Sequence, residues 1–225
     1  MIKVENIEVW GFEHAIRGMR NPMNSWHLSD SYRGCVYGHH CDSCEQSLWN
    51  DCHGAWSDYI IGEKDLGLMK RLYKGGTEHR KYARQIFVSM CITAPLYWWK
   101  EFDTYKVGTV ANSCSTMHKI DAKEFTIDDF SCEHLDKEGK KLLHQKIAYL
   151  NKNREKFIET GDKKYWWNMI QSLESSYNQK RTVTMTYENV FSMIHQRDGH
   201  KLDEWREGLV KVLLDLPYVR DIMEK

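Results

Sequence analysis

The spacing of apolar side chains along the chain changes period several times, and each change marks an element. Residues 7–12, IEVWGF, alternate apolar with other side chains and predict a short strand. HAIRGMR, residues 14–20, predicts a short helix. Residues 21–61 hold no period; they contain Pro22, several glycines and four of the seven cysteines. Helical spacing returns at Leu66, Met69, Leu72 and Tyr73, and Gly75-Gly76 ends it. Ile86, Val88, Met90 and Ile92 alternate within RQIFVSMCI, residues 84–92, and predict a second strand. Pro95 stands where a helix begins, and LYWWKEFDTYK, residues 96–106, reads as that helix.

The remainder reads as helical throughout. Leu142, Leu143, Ile147, Leu150, Phe157 and Ile158 mark one helix. Residues 165–173, 182–195 and 202–214 mark three more, and Leu216-Pro217 closes the last. There is no internal repeat and no low-complexity stretch. The expected fold class is α+β: a small, mostly antiparallel sheet packed with a helix-rich C-terminal half. One domain over residues 1–225 is expected, with a Cys/His-rich insert at about 34–54.

Charge narrows the function classes. Lys and Arg total 32, as do Asp and Glu, so the formal net charge is zero. General nucleic-acid binding requires a basic excess to displace counterions, and this chain has none. A local phosphate pocket is compatible with that balance. No apolar run reaches the ~20 residues of a membrane span. The first residues, MIKVENIEVW, lack the basic and long apolar regions of a signal peptide. A cytoplasmic protein is expected, and its cysteines then read as thiols or metal ligands rather than disulfides.

Those cysteines cluster. GCVYGHHCDSCEQSLWNDCHG holds Cys35, Cys41, Cys44 and Cys52, with His39, His40 and His53 among them. Cys41 and Cys44 form a C-x-x-C pair whose thiolates can face one ion. Zinc is the preferred occupant; an iron–sulfur cluster and free, reduced thiols are the alternatives. A zinc here would be a structural clip, since so short an irregular segment has little core of its own.

The candidate chemistry lies behind the aromatic helix, in FDTYKVGTVANSCSTMHK, residues 102–119. Its hydroxyls, amides and lysines suit hydrogen bonding to phosphate or a base, or the capping of a loop. Together with the preceding ITAPLYWWKE, this stretch resembles the flavin-dependent thymidylate synthases. In that family a strand ending in Ala-Pro leads through an aromatic helix into Arg-His-Arg-x-x-Ser-x-Asn-Glu-x-Ser-x-Arg-Tyr. Ala94-Pro95 and the helix agree. Thr104-Tyr105-Lys106 replace Arg-His-Arg, Thr109 stands for the first Ser, and Asn112 and Ser115 fit the later Asn and Ser with a one-residue insertion. His79 lies at the distance of the family's Gly-His. QRDGHKLDEW supplies Arg197, His200 and Glu204 of the family's C-terminal motif, and Arg181 is the nearest basic residue to another family arginine.

The resemblance, over roughly residues 62–214, implies a homotetramer with FAD at the subunit interface. It implies transfer of a methylene from methylenetetrahydrofolate to deoxyuridine monophosphate, with NADPH as reductant. It assigns Arg197, Ser115, Lys106, Asn112 and Arg181 to the pyrimidine nucleotide, and His79, Tyr105, Lys106 and His200 to the flavin. It names no catalytic side chain, and Cys114 needs no nucleophilic role. Against these stand ordinary roles: a helix-end lysine for Lys106, loop caps for Ser115 and Asn112, a core aromatic for Tyr105, structural histidines at 79 and 200. A non-catalytic nucleotide-binding or interaction protein on the same fold is the alternative function.

Overall fold

The computed structural model describes residues 2–35 and 57–224. The chain folds into two compact units. The first comprises Met1–Glu8, Ser89–Met185 and Met193–Leu213; the second comprises Val9–Val88, Thr186–Ser192 and Leu214–Lys225.

The first unit contains most of a four-stranded sheet. Its strands are β1 (Lys3–Trp10), β4 (Phe87–Pro95), β5 (Thr109–Ser113) and β6 (Asn178–Thr186), in the order β1-β4-β6-β5. β5 is an edge strand, antiparallel to β6, with Asn112 opposite Thr182 and Ser113 opposite Arg181. The alternation read from the sequence appears in β4 as burial: Val88, Met90, Ile92 and Ala94 are all fully buried. β4 begins at Phe87 rather than Arg84, because residues 81–84 form a 3-10 turn, and it continues to Pro95.

β6 corrects the expectation of a wholly helical C-terminal half. The segment read as a helix from residue 182 is strand up to Thr186, and α7 (Tyr187–Arg197) follows. Thr182, Val183 and Thr184 are β-branched, and Val183 and Met185 are buried at period two, which is strand chemistry. β5 likewise emerges from the stretch read only as polar.

The helices of this unit are α3 (Leu96–Phe102), α4 (Thr116–Lys119), α5 (Lys137–Thr160), α6 (Lys163–Ser172), the C-terminal part of α7, and α8 (Val210–Leu214). A π-helical stretch, Glu204–Leu209, runs into α8, so the expected helix at 202–214 starts later and in a wider coil. Asp136 caps α5 by accepting the Gly139 N–H, and Gly161, in the left-handed region, ends it. Leu143, Ile147 and Leu150 of α5 pack with Met169 of α6 and with Ile120, Phe125 and Phe130. Each such side chain, fully buried, contributes ~1.5–3 kcal/mol.

The second unit holds α1 (Phe12–Arg20), the antiparallel pair β2 (Tyr32–Cys35) and β3 (Ser57–Ile60), α2 (Glu63–Lys74) and α9 (Val219–Met223). β2 and β3 correct the reading of residues 21–61 as wholly irregular. Phe12, Ile16, Met69, Tyr82, Tyr187 and Phe191 are among its core. Arg20 and Asp65, both buried, form an ion pair at 2.6 Å. Among the described residues no helix is long and apolar enough to cross a membrane.

Candidate functional site

The residues singled out from the sequence, His79 and the cysteines apart, belong to the first unit, and α3 organises them. Its seven residues bury Trp98, Trp99 and Phe102. Leu96 and Tyr97 donate their backbone N–H groups to the carbonyls of Tyr177 and Ser175, so the start of α3 is hydrogen-bonded to the segment leading into β6. Trp99 Nε1–H donates to the Gln179 carbonyl at 2.9 Å and ties the helix to β6 itself. The expected helix over 96–106 stops at Phe102, and Asp103 caps it.

Two acidic residues at the end of α3 each hold an arginine against an aromatic ring. Arg197, at the end of α7, donates through Nη1 to Glu101 Oε2 at 3.0 Å and through Nε to the Tyr105 hydroxyl at 2.9 Å. Its guanidinium lies 4.8 Å from the Trp205 ring centre. The Tyr105 hydroxyl in turn donates to Gln196 Oε1. Arg181, on β6, donates through Nη1 to Asp103 Oδ1 at 2.8 Å and through Nε to Gln179 Oε1 at 3.0 Å, and lies 4.2 Å over Trp99. Gln179 Nε2–H reaches the Cys114 carbonyl at 2.9 Å, which connects Arg181 to the loop after β5.

The structure therefore brings Tyr105, Arg197 and His200 together. His200 Nδ1 accepts the Leu202 N–H, and its ring meets Trp205 edge-on at 6.3 Å. The indole N–H groups of Trp98 and Trp205 are buried without a hydrogen-bond partner among the described residues, and their rings lie 4.6 Å apart. Tyr97 of the same helix donates its hydroxyl to the buried carboxylate of Glu204; burial first, then Glu204, raises the Tyr97 phenol.

Lys106 is exposed beside Tyr105, and Asn112 is exposed on edge strand β5. Ser115 caps α4, its Oγ accepting the His118 N–H at 3.1 Å. His79 belongs to the second unit, where it is exposed in the turn after α2 and donates its backbone N–H to Gly76. Cys35 ends β2, and Cys41, Cys44 and Cys52 lie outside the described residues. Among the described residues no group of three or more His, Cys, Asp or Glu is placed to hold a metal.

Beside the β5–β6 pair lies a cavity of about 380 Å³. Ser115, Thr116 and Gln179 line it, with Lys119, Lys123 and Lys180 set against Asp128 and Asp129. Lys123 pairs closely with Asp129, whose hydrogen bond raises the lysine's affinity for its proton. Lys180 reaches Glu5 at 3.3 Å. The volume falls within the ~300–1,000 Å³ of small-molecule sites, and the three ammonium groups, two of them paired with Asp129 and Glu5, are the cations that would meet an anion there.

No protein-family profile matches the sequence, and no curated protein matches it. The fold has solved counterparts. A crystal structure of flavin-dependent thymidylate synthase from Helicobacter pylori, complexed with FAD and dUMP, superposes with a TM-score of 0.63. It covers 96% of this chain and 94% of that one at 15% identity. A second structure of the Helicobacter pylori enzyme with FAD and dUMP gives 0.62 over the same shares at 14% identity. This chain shares their fold. The expected α+β class, with its small antiparallel sheet and many helices, is thereby borne out.

Sequence reasoning picked out Arg197 and Arg181 but missed Glu101 and Asp103, which hold them. The available signal was their placement on either side of buried Phe102 in KEFD, where a helix end points neighbours to different faces. Lys119 and Lys123 were also missed, and Lys180 entered only as a substitute for its neighbour Arg181.

Proposed function

We propose that the protein is a flavin-dependent thymidylate synthase-like enzyme that transfers a one-carbon group to deoxyuridine monophosphate or a close pyrimidine nucleotide. The observation that carries this reading is the lysine- and hydroxyl-lined cavity beside β5–β6, on a fold whose solved counterparts were crystallised with FAD and dUMP. Methylenetetrahydrofolate as one-carbon donor, NADPH as reductant and a homotetrameric assembly belong to the same reading. A zinc clip formed by Cys35, Cys41, Cys44 and Cys52 is proposed apart from it, on the spacing of those cysteines.

The residues present fit a mononucleotide. Lys119 and Lys180 would neutralise its phosphate as point charges, and Ser115, Thr116 and the Gln179 amide would direct hydrogen bonds to it. Arg181 reaches this group through Gln179 and would fix the orientation of that amide. Arg197 offers the planar fork that matches phosphate or a uracil carbonyl once it leaves Glu101. Tyr105 and Lys106, just before β5, with His200, would hold FAD, and Asn112 on the β5 edge would serve the nucleotide; His79, which the resemblance also gives to the flavin, belongs to the second unit. Bound flavin supplies the hydride chemistry; the protein supplies binding, orientation and charge.

One observation favours a second reading, a nucleotide-binding protein without turnover. Arg197 and Arg181 are both neutralised internally, and the Tyr105 hydroxyl is engaged by Gln196 and Arg197. Gently purified protein, reconstituted with FAD, separates the two. A flavin absorption spectrum with saturable dUMP binding, and formation of dTMP from dUMP, methylenetetrahydrofolate and NADPH, is the expected outcome. Binding of dUMP with no flavin uptake favours the second reading, and binding of neither overturns both.

A further inference from the structure

The second unit carries a cavity of its own, of about 420 Å³, built from the end of β1, the first turn of α1, the β2–β3 pair and the start of α9. Its walls are rich in aromatic rings: Trp10, Phe12, Tyr59 and Tyr218. Two carboxylates, Glu13 and Asp221, share them. Trp10 stacks one face on Phe87, with centroids 5.9 Å apart and planes at 19°, yet remains 44% exposed. Phe12 meets Tyr218 edge-to-face at 5.6 Å, and Tyr218 accepts the Ile61 N–H through its hydroxyl. These contacts fix the two rings in place.

Aromatic faces carry negative potential, and desolvated cations are drawn to them. Glu13, His14, Arg33 and Asp221 are the titratable and charged side chains of the wall besides Tyr59 and Tyr218; Glu13 and Arg33 pair with each other, which leaves the Asp221 carboxylate. Arg33, opposite Tyr59 on the β2–β3 pair, is largely exposed and already pairs with Glu13, Nη2 to Oε2 at 2.6 Å. Asp221 is exposed on α9. Burial first, then the Glu13 and Asp65 carboxylates, pushes the Tyr59 phenol up against the opposing pull of Arg17 and Arg33.

From this we infer that the cavity is a binding site for an organic cation, a substituted ammonium group enclosed by Trp10, Tyr59 and Tyr218 and neutralised by Asp221. The volume admits an ammonium with an attached ring or short chain. The site uses residues of the second unit alone and does not rest on the nucleotide reading of the first.

The test is calorimetric titration of the full-length protein with phenyltrimethylammonium, beside its neutral analogue tert-butylbenzene and the anion benzoate. Saturable binding of the cation, at least about fivefold tighter than either comparison compound, is expected from the cation–π contribution. Trp10→Leu and Asp221→Asn should each weaken it by about fivefold or more. Asp221 is exposed, so its substitution leaves the fold intact, and a thermal melt checks this for both variants. Equal binding of the neutral analogue would mean a merely apolar cavity. That result, no saturable binding, or unchanged affinity in both variants overturns the assignment.

Discussion

Arg197 and Glu101 meet at 3.0 Å at the end of α3, while the same guanidinium lies over the ring of Trp205. The pair is lopsided: the Arg197 side chain is 14% exposed and that of Glu101 44%. The cation is therefore held inside by the aromatic ring and Tyr105, and the carboxylate is the member nearer solvent. A phosphate approaching Arg197 competes with Glu101 rather than with Trp205. Glu101→Gln removes that competitor's charge, and dUMP should bind about two- to fivefold more tightly, in line with the ~0–1 kcal/mol of a solvent-facing ion pair. Isothermal titration of both proteins measures it; weaker binding in the variant would place Glu101 among the groups that hold the nucleotide.

Arg197→Ala should act in the opposite direction. Losing a charge-assisted contact costs about 1.5–3 kcal/mol of dUMP binding. Arg197→Lys should recover little of it. The arginine uses Nε and Nη1 on two different partners at once, and an ammonium cannot reproduce that fork. Unchanged affinity in the alanine variant removes Arg197 from the nucleotide site.

Much of the frame was legible in the sequence for a simple reason. Where burial alternates strictly, as from Val88 to Ala94, one strand face is core and the pattern records it. β6 carried the same signal in TVTMT but was read as the start of the helix that follows it, because the apolar residues of α7 continue without a break. β5 left no such trace, since it is an edge strand whose residues, Thr109 apart, are exposed. The two arginines were singled out by the resemblance, Arg197 from its place in QRDGH at a helix end and Arg181 as the basic residue nearest a family arginine. Their partners were not, for a carboxylate on a helix end looks the same in sequence whether it faces water or an arginine far along the chain.

Gly11 has φ of +99°, and a Cβ there would lie 2.2 Å from the Gln85 carbonyl oxygen. Both the dihedral and the space demand glycine, at the point where β1 gives way to α1. That oxygen belongs to the backbone and cannot swing aside. Gly11→Ala should destabilise the protein by about 2–4 kcal/mol, the range of strained backbone combined with overpacking. Denaturant unfolding checks it, and a loss below half a kilocalorie or so would mean that the chain relaxes there at little cost.

Asp65 sets the acid limit of the second unit. Burial alone would raise its carboxyl, but hydrogen bonds from Ser29 and Ser31 and the Arg20 guanidinium outweigh burial and hold it below the ordinary aspartate range. In the unfolded chain it titrates near ~3.9. The native state thus binds this proton less readily than the unfolded state does. The stabilisation is fully present above the unfolded value and is lost as pH falls through the depressed native one. Asp65→Asn should cost about 3–5 kcal/mol at neutral pH, because Arg20 is left buried without its counter-charge. It should also flatten the acid limb. Urea midpoints for both proteins from neutral pH down into the acid range give the comparison: the two stability curves converge as the medium becomes acidic, and curves that stay parallel would show that Asp65 is not the titrating group.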